Sequence, residues 1–218
     1  MNRDFEFRQL LRAYRAGIID EATFEAELGA LERGTSNGNG ARGFEALGKT
    51  YANEREAVAA MLDRVRSGEA NGEKAFLAWA AQCNTECIRS GIRIIAEREA
   101  YHARIFERRM RDLGLECKAE TSELGLEFTA KLGDASISDN QKLLYVTSFA
   151  PDIDAFFKPF SELAENIKED LESKEMFKLY LQDEMSSAKW LEASCKALNG
   201  SAPALSTPAP SSSVNAFV

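Results

Sequence analysis

The feature that most constrains this chain is a helical seam between Glu86 and Gly114 in which charged residues interrupt apolar ones. Steps of four and three residues place one face of an amphipathic helix in a protein core. That face reads Ile88, Ile92, Ile95, Glu99, His102, Phe106, Arg109 and Leu113. His102 is the only histidine of the chain. Because burying an ionised carboxylate without a partner costs several kcal/mol, the Glu99-x-x-His102 pattern indicates a compensating group, and a metal ion is the leading candidate.

Three further segments have the same helical spacing, and together they predict an all-α domain over residues 51–198. The seam of the first, at about 54–83, contains Val58, Leu62, Val65, Glu69, Gly72, Phe76, Trp79 and Cys83. A third helix is predicted after an N-cap at Ser138, with Pro151 and Pro159 expected to bend or break it. The fourth, at about 173–198, has Phe177, Leu181, Glu184, Ala188, Leu191, Cys195 and Leu198 in its seam. Residues 115–137 are predicted to be irregular, and the four long helices predict a four-helix bundle.

Shorter segments flank this domain. Residues 1–33 are predicted to form a small helical hairpin, and the Gly- and Asn-rich stretch that follows predicts a flexible linker over residues 34–50. The segment from Leu10 to Phe24, with a glycine turn before an acidic helix start, resembles the helical hairpin called SHOCT. Residues 199–218 are rich in Ala, Pro and Ser, which predicts a disordered tail.

Composition excludes several classes of function. The chain has 27 basic and 35 acidic residues, and its net charge of −8 disfavours nucleic-acid binding. No apolar run approaches the roughly 20 residues that span a bilayer, and the N-terminus has no apolar signal core, so we expect no membrane association and a cytoplasmic location. Four cysteines are too few for a disulfide scaffold. Cys83 and Cys87 are close enough in sequence to form a metal or redox pair, although reduced, packed thiols are the simpler interpretation.

The candidate metal ligands are brought together by the turn between the first two long helices. In antiparallel helices, residues equidistant from the turn lie at the same height, and a turn centred near Asn84 places Glu69 opposite Glu99. Two such carboxylates repel each other unless a cation or shared protons lie between them. His102 adds a nitrogen ligand, and Glu184 completes the cluster if the bundle closes in the usual way. Asp183 is expected to point elsewhere.

This arrangement resembles the ferritin-like superfamily, and within it the rubrerythrin-type di-iron carboxylate proteins, over residues 51–198. That family uses one Glu from each of two helices and Glu-x-x-His from each of the other two. The resemblance implies that Glu69 is the first Glu, Glu99 and His102 the first Glu-x-x-His, and Glu184 the Glu of the second. It also implies iron, with manganese or zinc as other choices and one or two ions, in redox chemistry or the handling of dioxygen or peroxide.

The sequence departs from the family pattern at two places. Ser187 stands where the second His is expected, and Phe156 and Phe157 stand at the height of the remaining Glu. A single ion held by the four matching residues is therefore expected in place of a full two-iron centre.

Several alternatives remain open at this stage, including whether the protein is an enzyme. One is a ferritin-like bundle with a degenerate site that acts as a binding or assembly module, in which the phenylalanines 149, 156, 157 and 160 line an apolar pocket or a dimer seam. Another is neutralisation of a carboxylate by Arg109 without any metal. Tyr180 is either a hydrogen-bonding neighbour of the site or a partly exposed packing residue. A homodimer is the default oligomeric state, and the N-terminal hairpin or the apolar end of the tail are candidate docking elements for a protein partner.

Overall fold

The computed structural model describes residues 3–15, 19–33 and 43–199. The chain divides into two compact units, residues 1–43 and 44–218. Of the tail predicted for residues 199–218, only Asn199 lies within the described residues, as the last residue of a helix.

The first unit contains a pair of short helices. Helix α1 (Arg3–Arg15) packs against α2 (Glu21–Arg33), and the rings of Tyr14 and Phe24 stack with their centroids 4.7 Å apart. Asp20 caps α2, because its Oδ1 accepts a hydrogen bond from the backbone N–H of Thr23 at 2.8 Å. The predicted glycine turn at Gly17 lies outside the described residues.

The second unit begins with a two-stranded antiparallel hairpin. Strands β1 (Phe44–Ala46) and β2 (Lys49–Tyr51) pair with Phe44 opposite Tyr51. Leu47 and Gly48 between them have φ angles of 48° and 74°, the left-handed conformation that a tight two-residue hairpin turn requires. The predicted linker, residues 34–50, therefore does not extend through residues 44–50. Only Gly48 signals this turn in the sequence, since leucine is an unusual residue at a positive φ.

The rest of the described chain is helical, which confirms the all-α prediction. Six helices follow the hairpin: α3 (Glu54–Gln82), α4 (Glu86–Asp112), α5 (Glu123–Gly133), α6 (Asp139–Thr147), α7 (Ile153–Asn166) and α8 (Leu171–Asn199). The side chain of Asn53 caps α3, and Ser138 forms a reciprocal capping box with Gln141 at the start of α6. Gly114, with a φ of 69°, ends α4 as its position predicts.

Two predictions about helix boundaries need correction or refinement. Residues 115–137 are not irregular throughout, because Ser122 caps the short helix α5. The predicted third helix is two helices, α6 and α7, separated at residues 148–152 around Pro151. The interruption was expected at a proline, which lacks the N–H that a continuous helix needs. Pro159, in contrast, lies within α7.

The long helices pack around a common core. Helix α3 packs against α4 and α5, and α8 packs against α4, α6 and α7. Asp139 joins the α3–α4 turn to α6, since its carboxylate accepts hydrogen bonds from the Trp79 indole at 2.9 Å and from the backbone and hydroxyl of Thr85. Within the described ranges, every helix is too short or too polar to cross a lipid bilayer.

Candidate metal centre

The structure brings three of the four predicted ligands, Glu69, His102 and Glu184, into one group inside the second unit, and the fourth, Glu99, lies beside that group. Glu69 lies on α3, Glu99 and His102 lie on α4, and Glu184 lies on α8. The first three residues are buried, and the Glu184 side chain is 16% exposed. Glu69 and Glu99 are neighbours, as expected for residues at the same height on either side of the α3–α4 turn, and after burial the charge of Glu69 is the next cause of the raised pKa of Glu99.

Three ligand-type atoms converge at the centre of this cluster. Glu69, His102 and Glu184 each offer one atom, and these atoms all lie within 4.8 Å of one another. The Nδ1 atom of His102 is 3.2 Å from Glu69 Oε2 and 3.3 Å from Glu184 Oε1. Atoms that ligate one ion at about 2.0–2.2 Å are separated by about 3–4 Å. The spacing of the two histidine–carboxylate pairs thus matches shared ligation of one ion.

One oxygen of the cluster lacks a hydrogen-bond partner. Glu184 Oε1 is buried, and no donor in the described part of the chain has the geometry to form a hydrogen bond to it. Leaving such an oxygen unsatisfied costs about 1–3 kcal/mol, and more if the group is charged. A cation between Glu184, Glu69 and His102 would satisfy it, so the donor set fits a bound metal ion.

Asp183 contacts the other side of the histidine ring, so the expectation that it points elsewhere was wrong. Its Oδ2 atom lies 3.3 Å from His102 Nε2, and its side chain is 47% exposed. A carboxylate only accepts hydrogen bonds, and therefore Nε2 carries the proton that links the two groups. This partner orients the ring with Nδ1 towards Glu69 and Glu184, as carboxylate partners do for metal-binding histidines.

Tyr180 is a buried hydrogen-bonding neighbour of the cluster and not a partly exposed packing residue. Its hydroxyl donates to Glu69 Oε1 at 2.9 Å, and its ring meets the His102 ring edge-on, with centroids 5.1 Å apart. The signal in the sequence is its position one helical turn before Glu184 on α8. The two oxygens of Glu69 thus have different roles, one towards Tyr180 and the other towards His102.

Gly72 creates the space that Glu99 occupies. A Cβ atom at residue 72 would overlap the carboxylate of Glu99, so only glycine fits without displacing it. The helical spacing places Gly72 on the buried seam of α3 but does not indicate a role for it. Its contact with Glu99 becomes visible only when α3 and α4 are docked.

Burial and like charge change the acid–base properties of the cluster. The pKa of Glu69 is raised well above its usual value by burial and then by Glu184, and the pKa of Glu99 is raised by burial and then by Glu69. Burial alone would lower the pKa of His102, but the nearby carboxylates of Glu184 and Asp183 outweigh burial and raise it. Without a cation, Glu69 and Glu99 therefore retain protons that two ordinary carboxylates would have lost.

Arg109 does not neutralise these carboxylates, so that alternative is wrong. Its guanidinium contacts Asp170 at 2.6 Å, Glu172 at 2.5 Å and the Ser173 hydroxyl at 3.0 Å. This network ties α4 to the start of α8, and it occupies the guanidinium away from the Glu99 cluster.

Other residues with ligand-type side chains lie outside the centre. Ser187 is buried and accepts a hydrogen bond from Arg98 at 3.2 Å. Asp152 caps α7 through the N–H of Ala155. Cys83 is a buried free thiol whose pKa is raised to about 11, chiefly by burial, and Cys87 is an exposed free thiol. Cys83 and Cys87 therefore do not form a disulfide.

A cavity of about 390 Å³ adjoins the cluster. Glu69, Glu99 and Glu184 contribute to its wall, and most of the remaining wall is apolar. Phe149, Phe156 and Phe157 line it, as the sequence analysis considered for this phenylalanine-rich segment, whereas Phe160 does not belong to the lining.

The sequence-based resemblance to ferritin-like proteins stays a prediction. No protein-family model matches the sequence, and no curated protein or solved structure matches the chain significantly.

Proposed function

We propose that this chain is a ferritin-like metal-binding protein whose helical core holds one iron ion. The ligand atoms are Glu69 Oε2, His102 Nδ1 and Glu184 Oε1, and Glu99 supplies a further carboxylate. The observation that carries the proposal is the convergence of one imidazole nitrogen and two carboxylate oxygens within 4.8 Å at a mostly buried site.

The chemistry of the donors supports a transition metal. Mixed carboxylate and imidazole ligation suits iron, manganese or zinc, whereas calcium and magnesium prefer oxygen ligands alone. The contact from His102 Nε2 to Asp183 provides the outer hydrogen bond that such ligands commonly have. Because Glu184 Oε1 has no hydrogen-bond partner, a bound cation accounts for the cluster better than a network of hydrogen bonds alone.

The ligand count supports one ion over two. Ser187, at the position of the second family histidine, is already hydrogen-bonded to Arg98. Phe156 and Phe157 stand where the remaining family glutamate is expected, and Asp152 is engaged in capping α7. Among the described residues, Glu69, His102 and Glu184 form the one group of three or more ligand-type side chains close enough to share an ion.

The surroundings of the site suit redox chemistry with a small oxidant. When bound, iron supplies electron exchange with dioxygen or peroxide at an open coordination position. Asp183 holds the imidazole in place, Tyr180 holds Glu69, and the cavity beside the cluster has a mainly apolar wall. The chain has no Cys-x-x-Cys motif for a rubredoxin-like centre, so electrons would come from a separate partner.

Metal analysis of the purified protein tests the proposal. The protein is stripped with chelator, reloaded anaerobically with Fe²⁺, passed through a desalting column and analysed by mass spectrometry for iron per chain. We expect one ion per chain for the unmodified protein and loss of most of it in Glu184→Gln. Glu175→Gln is the matched control, because Glu175 lies on the same helix with its side chain 66% exposed.

A second candidate function is favoured by the raised pKa values of Glu69 and Glu99. Bound protons alone can neutralise the carboxylates of the cluster, in which case the bundle is a non-catalytic binding or assembly module. That function predicts no retained iron and a melting temperature that chelator and metal leave unchanged. Equal iron contents in Glu184→Gln and the unmodified protein would also contradict the metal proposal.

A further inference from the structure

The cavity beside the cluster is unusually large for the interior of a helical protein. Native cores contain few voids larger than a water molecule, yet this one has a volume of about 390 Å³. It is about two and a half times the roughly 150 Å³ of an engineered cavity that binds benzene. It also falls within the range of about 300–1,000 Å³ that is typical of small-molecule sites.

The walls of the cavity differ between its two ends. Its apolar part is formed by aromatic and aliphatic side chains from six helices, α3 to α8, and the α6–α7 connection, including Phe76, Phe128, Phe149, Phe157, Ile95 and Leu191. The end beside the cluster carries Glu99, Glu184 and Tyr180, and Arg64 also belongs to the lining. Exposed residues just before α5, such as Glu120 and Ser122, also line the cavity and mark its opening to solvent.

We propose that this cavity binds a neutral, mainly apolar organic molecule of the size of two aromatic rings. The molecule enters beside residues 119–122 and places one end against Glu99 and Glu184. An anionic head group is disfavoured at that end, because three carboxylates surround it. An apolar body is favoured, because it removes the phenylalanine side chains from water without leaving polar groups unpaired.

The position of the cavity makes the bound molecule a neighbour of the metal. Glu69, Glu99 and Glu184 belong to both the cavity wall and the candidate metal centre. This contact with the metal rests on the proposed function, whereas binding in the cavity itself does not. A neutral, mainly apolar organic molecule is therefore the kind of compound that the metal centre would act on or sense.

Binding is tested first in metal-free protein, with 4-fluorobiphenyl as a neutral probe observed by ¹⁹F NMR. We expect saturable binding at one site per chain. Ala188→Phe places a ring into the cavity from α8 and should weaken binding at least tenfold. Ala193→Phe, an exposed position on the same helix, should change the Kd by less than twofold. If Ala188→Phe does not fold, Ala150→Leu adds bulk from the α6–α7 connection instead.

Proximity to the metal is tested by loading the same complex with Mn²⁺ or Zn²⁺. We expect paramagnetic Mn²⁺ to broaden the ¹⁹F signal of the bound probe strongly and diamagnetic Zn²⁺ to leave it sharp. Non-saturable binding, or equal affinities in Ala188→Phe and the unmodified protein, would overturn the cavity inference. Saturable binding with no uptake of Mn²⁺ would instead support the cavity and refute the proposed function. Uptake of Mn²⁺ without broadening of the ¹⁹F signal would overturn the proposed contact between the bound molecule and the metal.

Discussion

Raising the pH should destabilise the metal-free protein through its buried carboxylates. The pKa of Glu69 is raised by burial and by Glu184, and the pKa of Glu99 is raised by burial and by Glu69, so the folded protein retains protons that the unfolded chain has released. Stability rises with pH only where the unfolded state binds more protons, and here the folded state binds more. The stabilisation is thus complete below the usual glutamate pKa and is lost as the pH rises towards the raised pKa values.

The magnitude follows from the number of protons retained. Each proton held only by the folded state lowers the free energy of unfolding by about 1.4 kcal/mol per pH unit. One proton shared by Glu69 and Glu99 therefore costs about 3 kcal/mol between about pH 5.5 and 7.5. At about 2–4 °C per kcal/mol for a unit of this size, the melting temperature should fall by about 6–12 °C. This is a large part of the roughly 5–15 kcal/mol that stabilises a typical domain.

Urea denaturation followed by far-UV circular dichroism measures this dependence for the unmodified protein and Glu69→Gln, both metal-free. Glutamine keeps an oxygen for the Tyr180 hydroxyl but does not titrate, so subtracting the two curves removes the contribution of distant groups. We expect Glu69→Gln to gain stability relative to the unmodified protein as the pH rises. Saturating Zn²⁺ should reverse the trend in the unmodified protein only, because the metal displaces the retained protons.

A stability difference between the two proteins that stays constant from about pH 5.5 to 7.5 would refute this reasoning. It would mean that the cluster holds no additional protons in the folded state. A rise in the stability of the unmodified protein relative to Glu69→Gln would refute it as well, since the carboxylate would then be stabilised in its ionised form.

Four further substitutions separate the roles of neighbouring residues. Asp183→Asn should weaken metal binding about 10- to 100-fold in a competition titration, which is the usual effect of removing a carboxylate that is hydrogen-bonded to a metal-binding histidine. An unchanged affinity would contradict the proposal that Asp183 orients the His102 ring. Gly72→Ala should displace Glu99 and lower metal affinity, whereas Gly91→Ala, which meets the Trp190 ring, should lower the melting temperature with little effect on affinity. Asp139→Ala should lower the free energy of unfolding in urea by about 2–4 kcal/mol, because the Trp79 indole loses its acceptor.

The convergence of Glu69 with Glu99 could be predicted because helices are regular. A short turn between two long helices fixes which residues share a height, so counting residues from Asn84 was sufficient. Glu184 required an additional assumption about how α8 closes against α4, since no short turn fixes that register. The helical seams therefore identified the residues that face the core, but not the distances between their side-chain atoms.

The residues that sequence reasoning missed depend on docked side chains. Asp183 lies off the seam of α8, yet the flat imidazole of His102 reaches between it and Glu184 and contacts both. The clash that excludes a side chain at Gly72 involves a neighbouring helix. Helix α5 was missed because it is short and buries only Phe128 and Leu132, too few residues for a clear helical period.

The break between α6 and α7 connects the incomplete ligand set to the cavity. A continuous third helix would face the cluster with ligand-type side chains at the height of Glu69, as the ferritin-like pattern requires. Here the chain leaves the helical path at residues 148–152 and directs Phe149, Phe156 and Phe157 to the cavity. On the proposed function, the break that places phenylalanines where the ferritin-like pattern has a Glu also provides the apolar volume beside the candidate metal centre. A substitution that refills the cavity with bulk should therefore not create a two-ion site.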